Sequence, residues 1–273
     1  MLAEMLQNVR EKAPLVHNIT NYVTVNDCAN ILLACGASPI MADDEEEAAE
    51  ITSVCGALNI NIGTLNRRTI PAMLSAARRA RELGLPSVLD PVGAGASALR
   101  TETAARLLRE AKFTVIRGNA SEIRTLARAG GSVSGVDAGA GDKVTDENLS
   151  EAKAFAKEFA AETGSVIVMS GAIDIVADGA GTFVIRNGCP MMSRVTGSGC
   201  MLSAMTGAYL AANPGRALSA AAAATVAMGL CGELAFARMK PGDGNASFRN
   251  YLIDAVYNLS GEELERGAKY EAE

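Results

Sequence analysis

Five short runs, nearly continuous in apolar residues, recur at intervals along the first two-thirds of the chain. They are "PLVHNIT" (14–20), "GALNINIG" (56–63), "SVLDPV" (87–92), "FTVIRGN" (113–119) and "SVIVMSG" (165–171). Runs of that length and character suit strands covered on both faces. Helical patterns such as "PAMLSAARRARELG" (71–84) and "TAARLLREAK" (103–112) separate them. The alternation predicts βαβ units, hence an α/β fold in three layers: a mostly parallel central sheet with helices on both faces. Residues 173–188 read as a hairpin turning on "DGAG". From Gly197 onward the pattern is helical, roughly 199–212, 215–238 and 246–260. With neither a low-complexity linker nor an internal repeat, one domain over residues 1–273 is expected.

Composition narrows the function. Of 273 residues 49% are hydrophobic, only 4% are aromatic and none is Trp, which favours helices packed closely on a sheet over an aromatic-filled sandwich. A net charge of −6, and no basic stripe, argue against nucleic acid as a partner. Cysteines 28, 35, 55, 189, 200 and 231 form no CxxC pair, and a single His excludes a Cys/His zinc pattern. Glu4, Arg10, Glu11 and Lys12 interrupt any secretory leader at the start, so a cytoplasmic setting is expected. Residues 195–215 carry no charge, but Gly197, Gly199, Gly207 and Pro214 break the stretch. It reads as a buried helix and its turn; a membrane partner is not expected.

Ligands of open α/β sheets bind beyond the carboxyl ends of the strands. Here those exits are Asn18–Thr20, Asn61–Thr64, Asp90–Gly95, Arg117–Glu122 and Ser170–Gly171, polar and glycine-rich where the strands are not. The chain contains no GxxxxGK[ST], so a P-loop is excluded. "GAGASA" (93–98) lacks the third glycine of a dinucleotide fingerprint. "GAGD" (139–142) precedes a polar stretch whose helix begins later, around Thr145 or Asp146. Only "GSGC" (197–200) opens directly into an apolar helix. Gly197, Ser198, Gly199 and Cys200 are therefore the candidate anion hole, where unpaired amides and the helix dipole favour a phosphate. Cys200 at that terminus is expected to have a lowered pKa. It could be a nucleophile, a proton acceptor for a substrate hydroxyl, or a small buried thiol. The usual nucleophile partner is His, and the one candidate, His17, reads as a hydrogen-bonded strand-end residue.

The second constellation is "VIRGNASEI" (115–123). Asn119 and Glu122, three apart at a helix start, could reach one metal–phosphate centre, with Glu122 acting through water. They could equally form a capping box, and both readings can hold together. Asp90, directly or through water, is a second metal candidate. "DDEEEAAE" (43–50) reads as an acid-rich helix start, "KPGDGNASF" (240–248) as a turn into a helix, and the remaining cysteines as buried thiols.

Together "PLVHNITNYVTVNDCANILLACGASPIMADDEEE" (14–47), "NIGTL" (61–65), "VLDPVGAGAS" (88–97), "IRGNASEI" (116–123) and "VTGSGCMLSA" (195–204) resemble the hydroxyethylthiazole kinase family, over nearly the whole length. The resemblance implies a ribokinase-like fold. It implies phosphorylation of 4-methyl-5-(2-hydroxyethyl)thiazole with ATP and Mg²⁺ for thiamine biosynthesis, and a homotrimer with active sites near subunit interfaces. It places Met41 and Gly197 against the thiazole, Arg117 and Ser170 against ATP, and Cys200 as the catalytic residue where most relatives have Asp. The family often has Thr at the position of Ser170 and GTGC for GSGC; both changes keep the hydroxyl. Rival readings are a hydroxymethylpyrimidine kinase of the same fold, a cysteine-nucleophile hydrolase or acyltransferase, and a non-catalytic thiazole-binding protein.

Overall fold

The computed structural model describes residues 1–130 and 143–273. "GAGD" (139–142) lies outside them. In chain order the described elements are α1 (Leu2–Lys12), β1 (Leu15–Ile19), α2 (Val25–Cys35), β2 (Ser38–Met41), α3 (Ala48–Val54), β3 (Ala57–Asn61), α4 (Thr69–Leu83), β4 (Ser87–Asp90), α5 (Ala98–Glu110), β5 (Val115–Asn119), α6 (Ala120–Ala129), α7 (Leu149–Thr163), β6 (Val166–Ser170), β7 (Asp174–Ala177), β8 (Thr182–Ile185), α8 (Ser198–Ala212), α9 (Ala217–Arg238), α10 (Asn245–Asn258), α11 (Gly261–Gly267) and β9 (Tyr270–Ala272). The strands form one sheet in the order β2-β1-β3-β4-β5-β6-β7-β8-β9. Pairing is parallel from β2 through β6 and antiparallel from β6 through β9.

The two-residue period of a strand sorts side chains onto two cores. Val16, Ala57, Val88, Val115 and Val166 pack with α1, α2, α8, α9 and α10. Their neighbours Leu58, Ile60, Leu89, Ile116 and Ile167 pack on the other face with α4, α5, α6 and α7. Both faces are covered, which is why the strands read as continuous apolar runs. Toward the carboxyl ends the first face changes character: by the same period Val16 gives way to Asn18, Ala57 to Asn59 and Asn61, Val88 to Asp90, Val115 to Arg117 and Val168 to Ser170. The start of α8 sits over that polar end.

α8 is apolar almost all round and nearly every residue from Cys200 to Ala212 is buried, as a helix between a sheet and other helices must be. α9 is long and apolar enough to cross a membrane by composition alone, yet most of that stretch is buried inside the fold against α8, α10 and the sheet.

The chain departs from the sequence-based expectation in several places. α1, α2, β2 and α11 were not anticipated, and residues after 197 are not all helical, because Tyr270–Ala272 returns as β9 beside β8. β2 contains Pro39 and is tolerated as an edge strand. The acidic run 43–47 is the turn before α3, which begins at Ala48. The helix expected near Thr145 or Asp146 begins at Leu149, after Asn148 has closed the turn by accepting from Thr145 N–H. "DGAG" does turn the β7–β8 hairpin: Asp178 Oδ1 accepts the amides of Ala180 and Gly181.

Candidate active site

At the start of α8 the first helical backbone bond runs from Met201 N–H to Gly197 C=O. The amides of Ser198, Gly199 and Cys200 precede it and have no intrahelical acceptor. Gly197 caps the helix with φ +91°, and a Cβ there would collide with Thr24, so the position needs glycine twice over. Gly199 needs it for another reason: a Cβ would occupy the space of the Arg117 guanidinium. The helix mouth is therefore not bare. Arg117 lies beside it and adds a full positive charge to the partial charge of the terminus.

Arg117 makes two contacts and leaves one donor over. Its Nη2 donates to Ser170 Oγ at 2.6 Å, its Nη1 lies 3.6 Å from Asp90 Oδ2, and its Nε is buried with no partner. Asp90 is wholly buried; Oδ2 accepts from Asn61 Nδ2 (2.9 Å) and Ser203 Oγ (2.7 Å), whereas Oδ1 has no partner. Burial raises its pKa from 3.8 to about 6, with Arg117 and the two donors opposing the rise. Asp174, also facing Arg117, is raised to about 6 by burial while accepting Gly171 N–H.

Cys200 is 9% exposed. Its sulfur accepts from Asn61 Nδ2 at 3.2 Å and from Asn21 Nδ2 at 3.3 Å. The pKa lowering expected from the helix terminus does not appear. Burial raises it, the Asp90 carboxylate raises it further, and Thr24, Asn21 and Arg117 only offset part of this. A dipole at the first turn is a fraction of a charge, and desolvation with an anion nearby outweighs it.

The metal candidates separate. Glu122 Oε1 accepts Gly93 N–H and Oε2 accepts Asn119 N–H, both at 2.8 Å, while Asn119 Oδ1 accepts Glu122 N–H at 2.9 Å. The capping-box reading holds, and the same carboxylate ties the "GAGAS" loop to α6. Among the described residues no three His, Cys, Asp or Glu side chains converge on one point. Mg²⁺ characteristically takes only one or two carboxylates and completes its shell with water and phosphate oxygens. The unpartnered Oδ1 of Asp90 fits such a cation, with Glu122 close enough to raise the Asp90 pKa.

Met41 ends the edge strand β2, half-buried, in register with Asn18; no hydrogen bond joins it to the cysteine network. His17 is wholly buried on the opposite face from Cys200, with Nε2 at 2.8 Å from Ala42 C=O and Nδ1 at 2.9 Å from Thr52 Oγ1 of α3. Burial lowers its pKa below 6.5. The sheet itself separates the chain's histidine from the cysteine, so no Cys–His pair exists. Sequence reasoning missed Asn21, Thr24, Ser203 and Asp174. Asn61 lay at a marked strand exit but had no role; its in-phase spacing with Asn59, two residues apart on an otherwise apolar strand, was the available signal.

The hydroxyethylthiazole kinase family profile matches residues 6–262. A hydroxyethylthiazole kinase of Clostridium acetobutylicum is 60% identical over 272 residues, covering 100% of both chains. The solved structure of a hydroxyethylthiazole kinase from Pyrococcus horikoshii superposes with a TM-score of 0.89 at 38% identity, covering 100% of this chain and 98% of that one. A ribokinase-like superfamily protein of Enterococcus faecalis, 14% identical with a TM-score of 0.59 over 94% of this chain and 89% of its own, shares the fold. The chain thus has the ribokinase-like architecture and belongs to the hydroxyethylthiazole kinase family.

Proposed function

We propose that the chain transfers the γ-phosphoryl group of ATP to the primary hydroxyl of 4-methyl-5-(2-hydroxyethyl)thiazole, supplying the thiazole phosphate for thiamine biosynthesis and salvage. One observation carries the reading: the free amides opening α8, the Arg117 guanidinium and an acceptor sulfur all converge at the carboxyl end of the sheet. Charge on a transferring phosphoryl group spreads over its equatorial oxygens in a loose transition state, so placed donors matter more than deprotonation. The amides of 198–200 and Arg117 are such donors, and they need no reorganisation as charge develops.

The alcohol oxygen bonds to the γ-phosphorus as the bond to the bridging oxygen breaks, and ADP leaves with that electron pair. The hydroxyl proton passes late to the Cys200 sulfur in its thiolate form. That form is a minor fraction at neutral pH, since burial raises the thiol's pKa. Asp90 would hold Mg²⁺, with Glu122 and Asn119 reaching it through water; the ion would neutralise phosphate charge. Ser170, which fixes the Arg117 guanidinium, would face the nucleotide with it. Gly197 and Met41 would face the thiazole.

A cytoplasmic homotrimer with sites near its interfaces suits two features. β2 is a half-buried edge strand, and Tyr22 and Val23, beside Asn21, are 76% and 58% exposed. The deciding assay measures ADP formation with the thiazole alcohol and with hydroxymethylpyrimidine side by side. ADP release dependent on the thiazole alcohol is expected; turnover of the pyrimidine alone, or hydrolysis without ATP, refutes the assignment. Cys200→Ala is expected to lower kcat about 10²–10⁴-fold with little change in KM for ATP. Cys200→Asp, which keeps an acceptor at the same helix start, should retain activity.

A further inference from the structure

We infer that Asn21 and Asn61 are positioning residues which hold the Cys200 sulfur as a hydrogen-bond acceptor, a role that rests on the phosphotransfer reading above. The argument is one of direction. A carboxamide can be turned end for end, and the partners that only donate decide which way it lies. Asn21 Oδ1 accepts from the backbone N–H of Thr24 at 3.1 Å, so its amide nitrogen must face the other way. There it meets Asn61 Oδ1 at 3.0 Å and the Cys200 sulfur at 3.3 Å. Asn61 Oδ1 is fixed in turn by the backbone N–H of Gly63 at 2.9 Å, which turns its nitrogen toward Asp90 Oδ2 (2.9 Å) and the Cys200 sulfur (3.2 Å).

Each amide nitrogen carries two hydrogens, and all four are assigned. One joins the two asparagines, one goes to Asp90, and two converge on sulfur. Both asparagines are buried, at 4% and 1% exposure, so water does not compete for these donors. Two backbone amides, at Thr24 and Gly63, thus dictate through two side chains that the atom at position 200 accepts. A group that must take up a proton is held with its lone pairs addressed, and its sulfur is fixed relative to the free amides of α8. The carboxamides act through Cys200, whose sulfur they address.

The test is a set of mutant cycles on the full-length enzyme, with kcat and both KM values read separately. Asn21→Ala and Asn61→Ala are each made with Cys200, Cys200→Ala and Cys200→Asp. With Cys200 present, Asn21→Ala should lower kcat about tenfold and leave both KM values nearly unchanged. With Cys200→Asp the loss should be at least as large, since the amides then donate to a carboxylate. With Cys200→Ala the Asn21 substitution should cost nothing further, because the atom it holds is gone. Asn61→Ala should show the same pattern plus a residual loss in every background from its bond to Asp90. If an alanine variant fails to fold by thermal unfolding, Asn21→Ser keeps an acceptor for Thr24 N–H, drops the amide donors, and is read in the same three backgrounds. Equal fractional losses of kcat in all three backgrounds, or an unchanged kcat with Cys200 present, overturn the positioning role. Full kcat in Cys200→Ala alone overturns the chemistry of Cys200, and this role with it; that result is distinct from the first two.

Discussion

Asp90→Asn should make the protein more stable at neutral pH while costing it activity. The wild-type carboxyl is wholly buried, and its pKa is raised from 3.8 to about 6 even with Arg117 and two donors beside it. Below about pH 3.8 it is protonated folded or unfolded and contributes no penalty. Between about pH 3.8 and 6 the unfolded chain is ionised at this group while the folded chain keeps its proton, so stability falls as the pH rises through that window and the loss is complete above it. A displacement of roughly two pH units at about 1.4 kcal/mol each gives about 3 kcal/mol, fully expressed at pH 7. Asn is neutral throughout. Its oxygen can still accept from Asn61 and Ser203, and its amide replaces the unpartnered Oδ1. Denaturant unfolding of both proteins from pH 3.5 to 8 yields the difference directly. Asp174 has the same sign and window, but it is common to both proteins and cancels. The difference should grow from near zero at pH 3.5 to as much as about 3 kcal/mol at pH 7, with Asn the more stable. A flat difference across that range refutes the assignment of the penalty to this carboxyl.

Other outcomes follow from the same geometry. Gly199→Ala should push the Arg117 guanidinium aside and lower kcat by up to about 10²–10³-fold, on the scale of losing one transition-state donor, with a smaller effect on the unfolding midpoint; steady-state kinetics beside a melting curve separates the two. Glu122→Gln leaves only one oxygen for the amides of Gly93 and Asn119, so stability should fall by about 1–2 kcal/mol, measured by denaturant unfolding. Because burial raises the Cys200 pKa, wild-type kcat should keep rising from pH 7 to 9.5, whereas in Cys200→Asp it should be level there; a level wild-type profile would remove the thiolate from the reaction.

The parallel sheet was legible because strands covered on both faces must be apolar on both, and β1, β3, β4, β5 and β6 all announce themselves that way. β2 did not, being four half-buried residues with a proline at an edge. β9 did not either, since three exposed residues carry no pattern and pair only because β8 lies open beside them. The glycine turn before α8 was legible as a helix start, because Gly197 can take the positive φ that opens a helix whose first amides lack intrahelical acceptors. What sequence could not show was what else gathers there. Arg117 reaches Gly199 across the sheet, and Asn21 reaches Cys200 across 179 positions of chain. The ionisation of Cys200 was misjudged for that reason: its burial and the Asp90 charge come from distant segments, while the dipole is local and visible.

β9 has a practical consequence. Its backbone satisfies β8, with Thr182 and Glu273 exchanging both of their amide bonds, and its short length and the charge of Glu271 leave little for another chain to add onto. Removing residues 270–273 would leave the amides and carbonyls of Thr182 and Val184, the alternate β8 residues that face β9, unpaired along the sheet edge. Without β9 that edge is open to strand addition from a second copy, and self-association is the expected outcome.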